Sequence, residues 1–199
     1  MITCPTYPAR PVNGGPLPLA QPKHGAWSHE RKFNGWNAPT HIETGAMFNR
    51  HLKLMTIAAE FKEALAQLRL VLDCQAFKWA NCEALERRHN LGRGSLIVFD
   101  VLPEPEYRSA TYIERHAWLA AVLPPAPLNP QLFEENTLYH SPIEPRPAEA
   151  WTVLQEWNRV VGCQFYEGLV AKRDDSRYPF QLRSAAQTYP FWMKHRWAF

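Results

Sequence analysis

The sequence predicts an α+β domain with largely antiparallel sheets, on three observations. A hydrophobic fraction of 46%, with 13% aromatics, is ample for a packed core. Apolar runs that read as strands and apolar stripes at three- and four-residue spacing both occur, but they do not alternate as the units of a parallel doubly wound sheet would. No internal repeat is present. At 199 residues the chain suits one domain and is too short for two full-sized ones.

The first segment, residues 1–16, is rich in proline and predicts an extended arm; Pro5, Pro8, Pro11, Pro16, Pro18 and Pro22 all fall early in the chain. The folded domain is expected over 17–199. Ala26 to Lys32 lacks helical spacing and leads into Asn34-Gly35, a turn signal, before a second run from Trp36 to Ile42, so strand, turn and strand are predicted. Thr56 is placed to cap a helix of about four turns, on which Ile57, Phe61, Leu65, Leu68 and Leu72 form one stripe. Phe77 to Leu85 and Ser95 to Leu102 read as strands, the second apolar enough to be central, separated by the charged loop ERRHNLGRG. Ser109 can cap a second helix, with Tyr112, Ile113, His116, Leu119 and Leu123 on one side and Pro124, Pro125 and Pro127 ending it. A third helix is expected from Pro147, with Trp151, Leu154, Trp157 and Val161 on one face, followed by strands at Tyr166 to Lys172 and Phe191 to Trp197.

Composition excludes several classes. No stretch approaches the roughly 18 apolar residues of a membrane span, and the N-terminus lacks the apolar core of a secretory signal, so a cytoplasmic protein with no membrane partner is expected. Cys4, Cys74, Cys82 and Cys163 form no CxxC pair and no zinc spacing, which predicts reduced thiols, mostly in the core. A net charge of +3 permits contact with polyanions without implying it. Neither GxxxxGK[ST] nor GxGxxG occurs, so a nucleotide would be held by something other than a phosphate loop.

The search for chemistry therefore turns to charged residues. Lys32-Phe33-Asn34-Gly35 puts a lysine at a strand end before a turn, which would project its amine from a rigid edge, whereas Lys23 lies in the proline-rich stretch. Around Lys32 stand further pieces in order: Leu17-Pro18-Leu19-Ala20, Phe48-Asn49-Arg50-His51, Cys82-Glu83-Ala84-Leu85, the strand LIVFDVL, then EGLVAK from Glu167 to Lys172 and WMKHR from Trp192 to Arg196. This series resembles the nucleotidyltransferase domain of ATP-dependent DNA ligases, relatives of RNA ligases and capping enzymes, from about Leu17 to Trp197. EGLVAK followed by WMKHR is its most specific part.

The resemblance implies an ATP-grasp-like fold in which antiparallel sheets flank a nucleotide cleft. It also implies an enzyme that attacks the α-phosphate of ATP with a lysine, holds AMP as a phosphoramidate and passes it to a 5′-phosphate end for joining to a 3′-hydroxyl. By position, Lys32 matches the nucleophile. A protonated lysine is a poor nucleophile, so neighbouring cations or a metal must favour the free amine, and Lys194 and Arg196 match residues that do this while neutralising phosphate. Alternation puts 192, 194 and 196 on one strand face. Glu167 matches a carboxylate on the side of a Mg²⁺ or Mn²⁺ ion, and Glu83, preferred over the uncharged Gln75, one that contacts the ribose or the metal's hydration shell. Phe99 matches the aromatic that stacks on adenine. Arg50 matches an arginine on phosphate or on the nucleic-acid end, and Lys172 is a further phosphate contact or a solvated strand-end lysine.

Three departures stand out. Where KxDGxR is usual, this chain has Asn34 for the aspartate and Asn37 for the arginine, and Arg196 replaces a lysine. After WMKHR three residues remain, so no C-terminal oligonucleotide-binding (OB) barrel is expected, and the grip on DNA would come from a separate DNA-clamping partner, a separately encoded barrel or short contacts alone. The leading expectation is a minimal ATP-dependent polynucleotide ligase acting on nicked duplex DNA, in repair or recombination. The alternatives are an RNA ligase, a capping-type nucleotidyltransferase, or a non-catalytic nucleic-acid-binding module.

Overall fold

The computed structural model describes residues 2–17, 24–72, 76–180 and 182–197. Lys23, Cys74, Gln75 and the prolines at 18 and 22 lie outside that set. The strands are β1 (Pro11–Asn13), β2 (Trp27–Phe33), β3 (Trp36–His41), β4 (Phe77–Leu85), β5 (Ser95–Pro103), β6 (Leu138–His140), β7 (Tyr166–Arg173) and β8 (Tyr189–Arg196). The helices are α1 (Lys62–Val71), α2 (Tyr112–Val122) and α3 (Pro147–Val161). They build two four-stranded sheets, ordered β1-β8-β7-β2 and β3-β4-β5-β6. All pairings are antiparallel except β1 with β8 and β5 with β6. The α+β expectation therefore holds.

The turn between β2 and β3 connects the two sheets, because Asn34-Gly35 carries the chain from one sheet into the other. On the β3–β6 sheet, Ala80, Cys82, Ala84, Val98 and Val101 meet Phe61, Ala64 and Leu68 of the first helical region, Leu119 of α2 and Leu123 at its C-cap. A second cluster joins Phe33, Ile97, Tyr139 and Leu169 to Trp151 and Leu154 of α3. A third gathers Ala9, Trp79, Leu102, Tyr178 and Trp192. The last two clusters draw on both sheets and hold them together.

Several elements differ from expectation. The segment read as an arm is part of the fold: Pro11–Asn13 pairs with β8, and Pro8 and Ala9 are buried. Its prolines still suit this place, because β1 is an edge strand that can dispense with amide donors on one side. The helix from Thr56 begins as a 3-10 turn over Thr56–Phe61 and becomes α-helical only at Lys62. No side chain caps that start, and tighter winding satisfies amides that would otherwise be orphaned. On α2 the N-cap is Thr111, not Ser109, and its amide donates to Glu114 Oε2 at 2.7 Å. Of the three described cysteines only Cys82 is buried; Cys4 and Cys163 are half-buried.

The face of α2 is also rotated from the one expected. Ile113 is 40% exposed, while Arg115 is fully buried. The cause is a charge pair: Arg115 Nε and Nη2 donate to Asp100 Oδ1 and Oδ2 at 2.7 and 2.9 Å, and Nη1 donates to the Ala110 and Ser176 carbonyls. A planar guanidinium meeting a carboxylate in this bidentate way offsets much of the desolvation cost, and losing either partner would leave a buried charge. Because Asp100 follows Phe99 on β5, the pair fixes which way Phe99 faces.

Buried histidines give the fold a pH dependence. His29 and His195 stack with centroids 6.2 Å apart, and burial first, then the charge of His195, lowers His29 to about 4 against a weaker opposing pull from Asp174. Burial also lowers His195 and His140. The unfolded chain thus binds more protons than the native one below about pH 6.5, so stability is highest above that value and falls as pH drops toward 4. Urea midpoints should decline over this window, and His29→Gln should flatten the decline; a variant with the wild-type slope would remove His29 as its source.

Candidate active site

Register in the first sheet decides what faces the space between the sheets. Lys32 on β2 pairs across to Gly168 on β7, and Gly168 to Arg196 on β8. Glu30 pairs with Val170 and Val170 with Lys194; Ser28 pairs with Lys172 and Lys172 with Trp192. Side chains at every second position share a face, so these three rows stack on one wall. They border a cavity of about 640 Å³ whose opposite wall includes Glu83, Ile97 and Phe99 of the second sheet.

Gly168 is what lets the rows close up. It sits at φ +143, and a Cβ there would lie 1.9 Å from the His195 carbonyl oxygen. No side chain fits that approach, which explains the glycine after Glu167 in EGLVAK.

Around Gly168 the charges are tightly arranged. Lys32 Nζ lies 2.6 Å from Glu167 Oε2, and Arg196 Nη2 lies 2.7 Å from the same oxygen. Glu83 Oε1 accepts from the Gly35 amide at 3.0 Å, so the Asn-Gly turn is pinned to β4. Burial above all pushes the Glu83 carboxyl up, with Glu167 adding to it, while Lys32, the Gly35 amide and Arg196 pull the other way. Lys194 is lowered by partial burial and then by Arg196, Arg10 and Lys32, with Glu167 opposing. Among the described residues Lys194 has no ion pair. Asn37 also borders the cavity, with its buried Oδ1 unpartnered.

The inner end of the cavity is aromatic and internally paired. Lys172, only 1% exposed, donates to Glu30 Oε1 at 2.7 Å and to the Phe99 carbonyl at 2.6 Å, and Tyr112 Oη donates to the same Glu30 oxygen. The Lys172 ammonium lies 4.5 to 5.0 Å from the ring centres of Trp192, Tyr112 and Phe99. It is therefore not a solvated strand-end lysine, and its charge is met by Glu30, one row from Lys32. Phe99 is half-buried, with its ring edge-on to Trp192.

All eight residues singled out from sequence, namely Lys32, Arg50, Glu83, Phe99, Glu167, Lys172, Lys194 and Arg196, border this one cavity. Arg50 stands exposed at the mouth, its Nε 3.0 Å from His51 Nε2. Sequence reading missed Glu30, although its place two residues before Lys32 on a strand signals a shared face. It also missed the wall formed by Pro8 to Pro11, for which no local signal exists, since that wall depends on pairing with a strand some 180 residues away in sequence.

The residues suit a divalent ion of the hard, water-rich kind. Glu83 and Glu167 both border the cavity, and burial, with a smaller contribution from Glu167, pushes the Glu83 carboxyl up, which a divalent cation beside it would offset. No group of three or more His, Cys, Asp or Glu gathers among the described residues, and Glu83 and Glu167 are the carboxylates that could hold a hard cation together with phosphate and water. No described helix is long and apolar enough to cross a membrane.

No family model matches the sequence, and no curated protein matches it. Solved structures do. The ligase domain of LigD from M. tuberculosis aligns with a TM-score of 0.58 at 17% identity, over 96% of this chain and 59% of that one. A mycobacterial DNA ligase D complexed with ATP and MES gives 0.57 at 20% identity, over 96% and 60%. Chlorella virus DNA ligase-adenylate gives 0.54 at 13% identity, over 95% and 68%. The chain thus has the fold of a ligase nucleotidyltransferase domain, and it spans about three fifths of the length of the first two structures.

The close approach at Gly168 is directly testable. Gly168→Ala must displace β8 or strain the backbone, and a stability loss of about 3 kcal/mol or more is expected by urea denaturation. An alanine variant as stable as wild type would mean that β7 and β8 do not approach in this way.

Proposed function

We propose that this chain transfers AMP from ATP to its own Lys32 and then to a polynucleotide 5′-phosphate, as a ligase does, with nicked duplex DNA as the leading substrate. The observation that carries this reading is the Lys32–Glu167–Arg196 cluster, held by strand register in a cavity with an aromatic inner end, within the fold of ligase nucleotidyltransferase domains.

The roles follow from the geometry. Glu167 holds the Lys32 amine in place, and the neighbouring cations Lys194 and Arg196 favour loss of its first proton to water. The freed Nζ attacks the α-phosphorus; the P–N bond forms as the bond to the bridging oxygen breaks, and pyrophosphate leaves with the electron pair. The second Nζ proton passes to water, leaving a neutral phosphoramidate nitrogen. Arg196 and Lys194, adjacent on the same face of β8, neutralise charge on the phosphoryl oxygens. Glu83 and the open Asn37 oxygen are acceptors placed for ribose hydroxyls. Phe99 offers a flat apolar face to the base. Glu167 and Glu83 would hold a Mg²⁺ or Mn²⁺ ion, which supplies charge neutralisation on the phosphates.

Labelled ATP with Mg²⁺, followed by denaturing electrophoresis, tests the first step. An acid-labile, hydroxylamine-sensitive adenylate is expected on wild type and on Lys78→Ala, whose lysine is exposed and paired with Glu104, and none on Lys32→Ala. Label retained by the Lys32 variant refutes the assignment, and label from GTP in preference to ATP would move the reading to a capping-type enzyme.

The second expectation concerns sealing. In-line attack needs the nucleic-acid end held against the adenylate. At the mouth Arg50 is a cation, but Asn37, on the cavity wall, carries no charge. Sealing of a nicked, 5′-phosphorylated duplex by wild type should be slow at moderate salt and faster at low salt. Asn37→Arg should accelerate it and steepen the logarithmic salt slope by about one. Fast, salt-insensitive sealing unimproved by the arginine would show a different grip on the substrate.

A further inference from the structure

Arg10 stands on the wall that the N-terminal segment adds to the cavity. Its neighbours Pro8 and Ala9 are buried, Pro11 opens β1, and its own carbonyl accepts from the Tyr189 amide at 2.8 Å. The backbone is therefore fixed on both sides, unlike that of a charge on a free arm. Yet the Arg10 side chain makes no hydrogen bond, ion pair or ring contact among the described residues, and it is exposed.

Sheet order gives this cation a direction. In the series β1-β8-β7-β2, Lys32 is on one edge strand, Arg10 enters the opposite edge strand, and Lys194 lies between them on β8. Both Arg10 and Lys32 act electrostatically on Lys194, which places the three in one field. Phosphoryl displacement runs in line, so the group leaving the α-phosphorus departs opposite the attacking nitrogen. For attack from β2, that is toward β8 and β1. Of the cavity's carboxylates, Glu167 is engaged by Lys32 and Arg196, Glu30 by Lys172 and Tyr112, and Glu83 accepts from the Gly35 amide on the β4 wall. Arg10 has no anion, and the side it occupies is where two phosphates would be expelled.

We propose that Arg10 binds the β- and γ-phosphates of ATP and stabilises the departing pyrophosphate. This rests on the nucleotidyl-transfer reading and adds a residue to it. A guanidinium fork suits a terminal phosphate better than a point charge does, so lysine should substitute only in part.

The test separates the step that releases pyrophosphate from the step that does not. Rapid-quench formation of enzyme–adenylate from ATP, and its reversal by added pyrophosphate, should both slow roughly ten- to a hundredfold in Arg10→Ala, with partial recovery in Arg10→Lys. Sealing of a pre-adenylated nick, in which no pyrophosphate takes part, should keep its rate. Unchanged adenylation, or equal losses in all three assays, would overturn the proposal; the latter would point to nucleic-acid binding or misfolding. Thermal melting with inorganic pyrophosphate gives an independent readout. Pyrophosphate should raise the melting temperature of wild type and of Lys32→Ala but not of Arg10→Ala. If wild type forms no adenylate, the transfer reading fails, and this shift alone decides whether Arg10 holds pyrophosphate.

Discussion

The organisation of the cleft depends on one close approach, that of the β7 and β8 backbones at Gly168. A Cβ at that position would fall 1.9 Å from the carbonyl of His195, so the pairing exists only because the residue has none. With it in place, Gly168 aligns with Lys32 on one side and Arg196 on the other, and the next two rows follow by strand geometry. The cationic side chains are thus positioned by backbone hydrogen bonds. That matters because like charges such as Lys194 and Arg196 repel, and only a rigid ladder keeps them adjacent before a ligand arrives.

A second layer of charge lies behind the first and serves the fold. Lys172 with Glu30, and Arg115 with Asp100, are almost fully buried pairs, and such pairs contribute little net stability against well-packed apolar residues. Their effect is orientation. Asp100 is anchored toward α2 by Arg115, so its neighbour Phe99 faces the cavity; Lys172 in turn donates to the Phe99 carbonyl and ties β5 of one sheet to β7 of the other. The aromatic end of the cleft is braced by polar contacts that an apolar core could not aim.

Sequence signals were strong wherever structure is local. The apolar run of β5, the Asn-Gly turn between β2 and β3 and the stripe of α3 all carry their own pattern, and the alternation of Trp192, Lys194 and Arg196 placed their shared face correctly. What escaped is non-local. Strands β1 and β6 are three residues each, too short for a period-two pattern, and both form by parallel pairing with a distant strand. Arg115 reads as a solvent-facing helix residue until Asp100 is brought against it, and Ile113 turns outward for the same reason. Lys172 reads as a strand-end charge because nothing near it in sequence announces the Glu30 carboxylate. The eight residues singled out through a resemblance spread over most of the chain all line one cavity, and Arg10 joins that lining from a segment whose prolines spoke only of extension.

The polarity of the cavity itself constrains what it can hold. At its inner end are Phe99 and Trp192, with the nearby charge of Lys172 already met. Along the β3–β4 side are acceptors, the Asn37 oxygen and Glu83. Along β8 and β1 are Lys194 and Arg10, cations with no carboxylate partner among the described residues, and Arg196 shares Glu167 with Lys32. A ligand complementary to all three regions carries a flat ring, then hydroxyl donors, then several negative charges in sequence. Amino acids, simple sugars and fatty acids each lack at least one of these. A nucleoside triphosphate has all three in that order, which is what the proposed nucleotidyl transfer to Lys32 requires of this cavity.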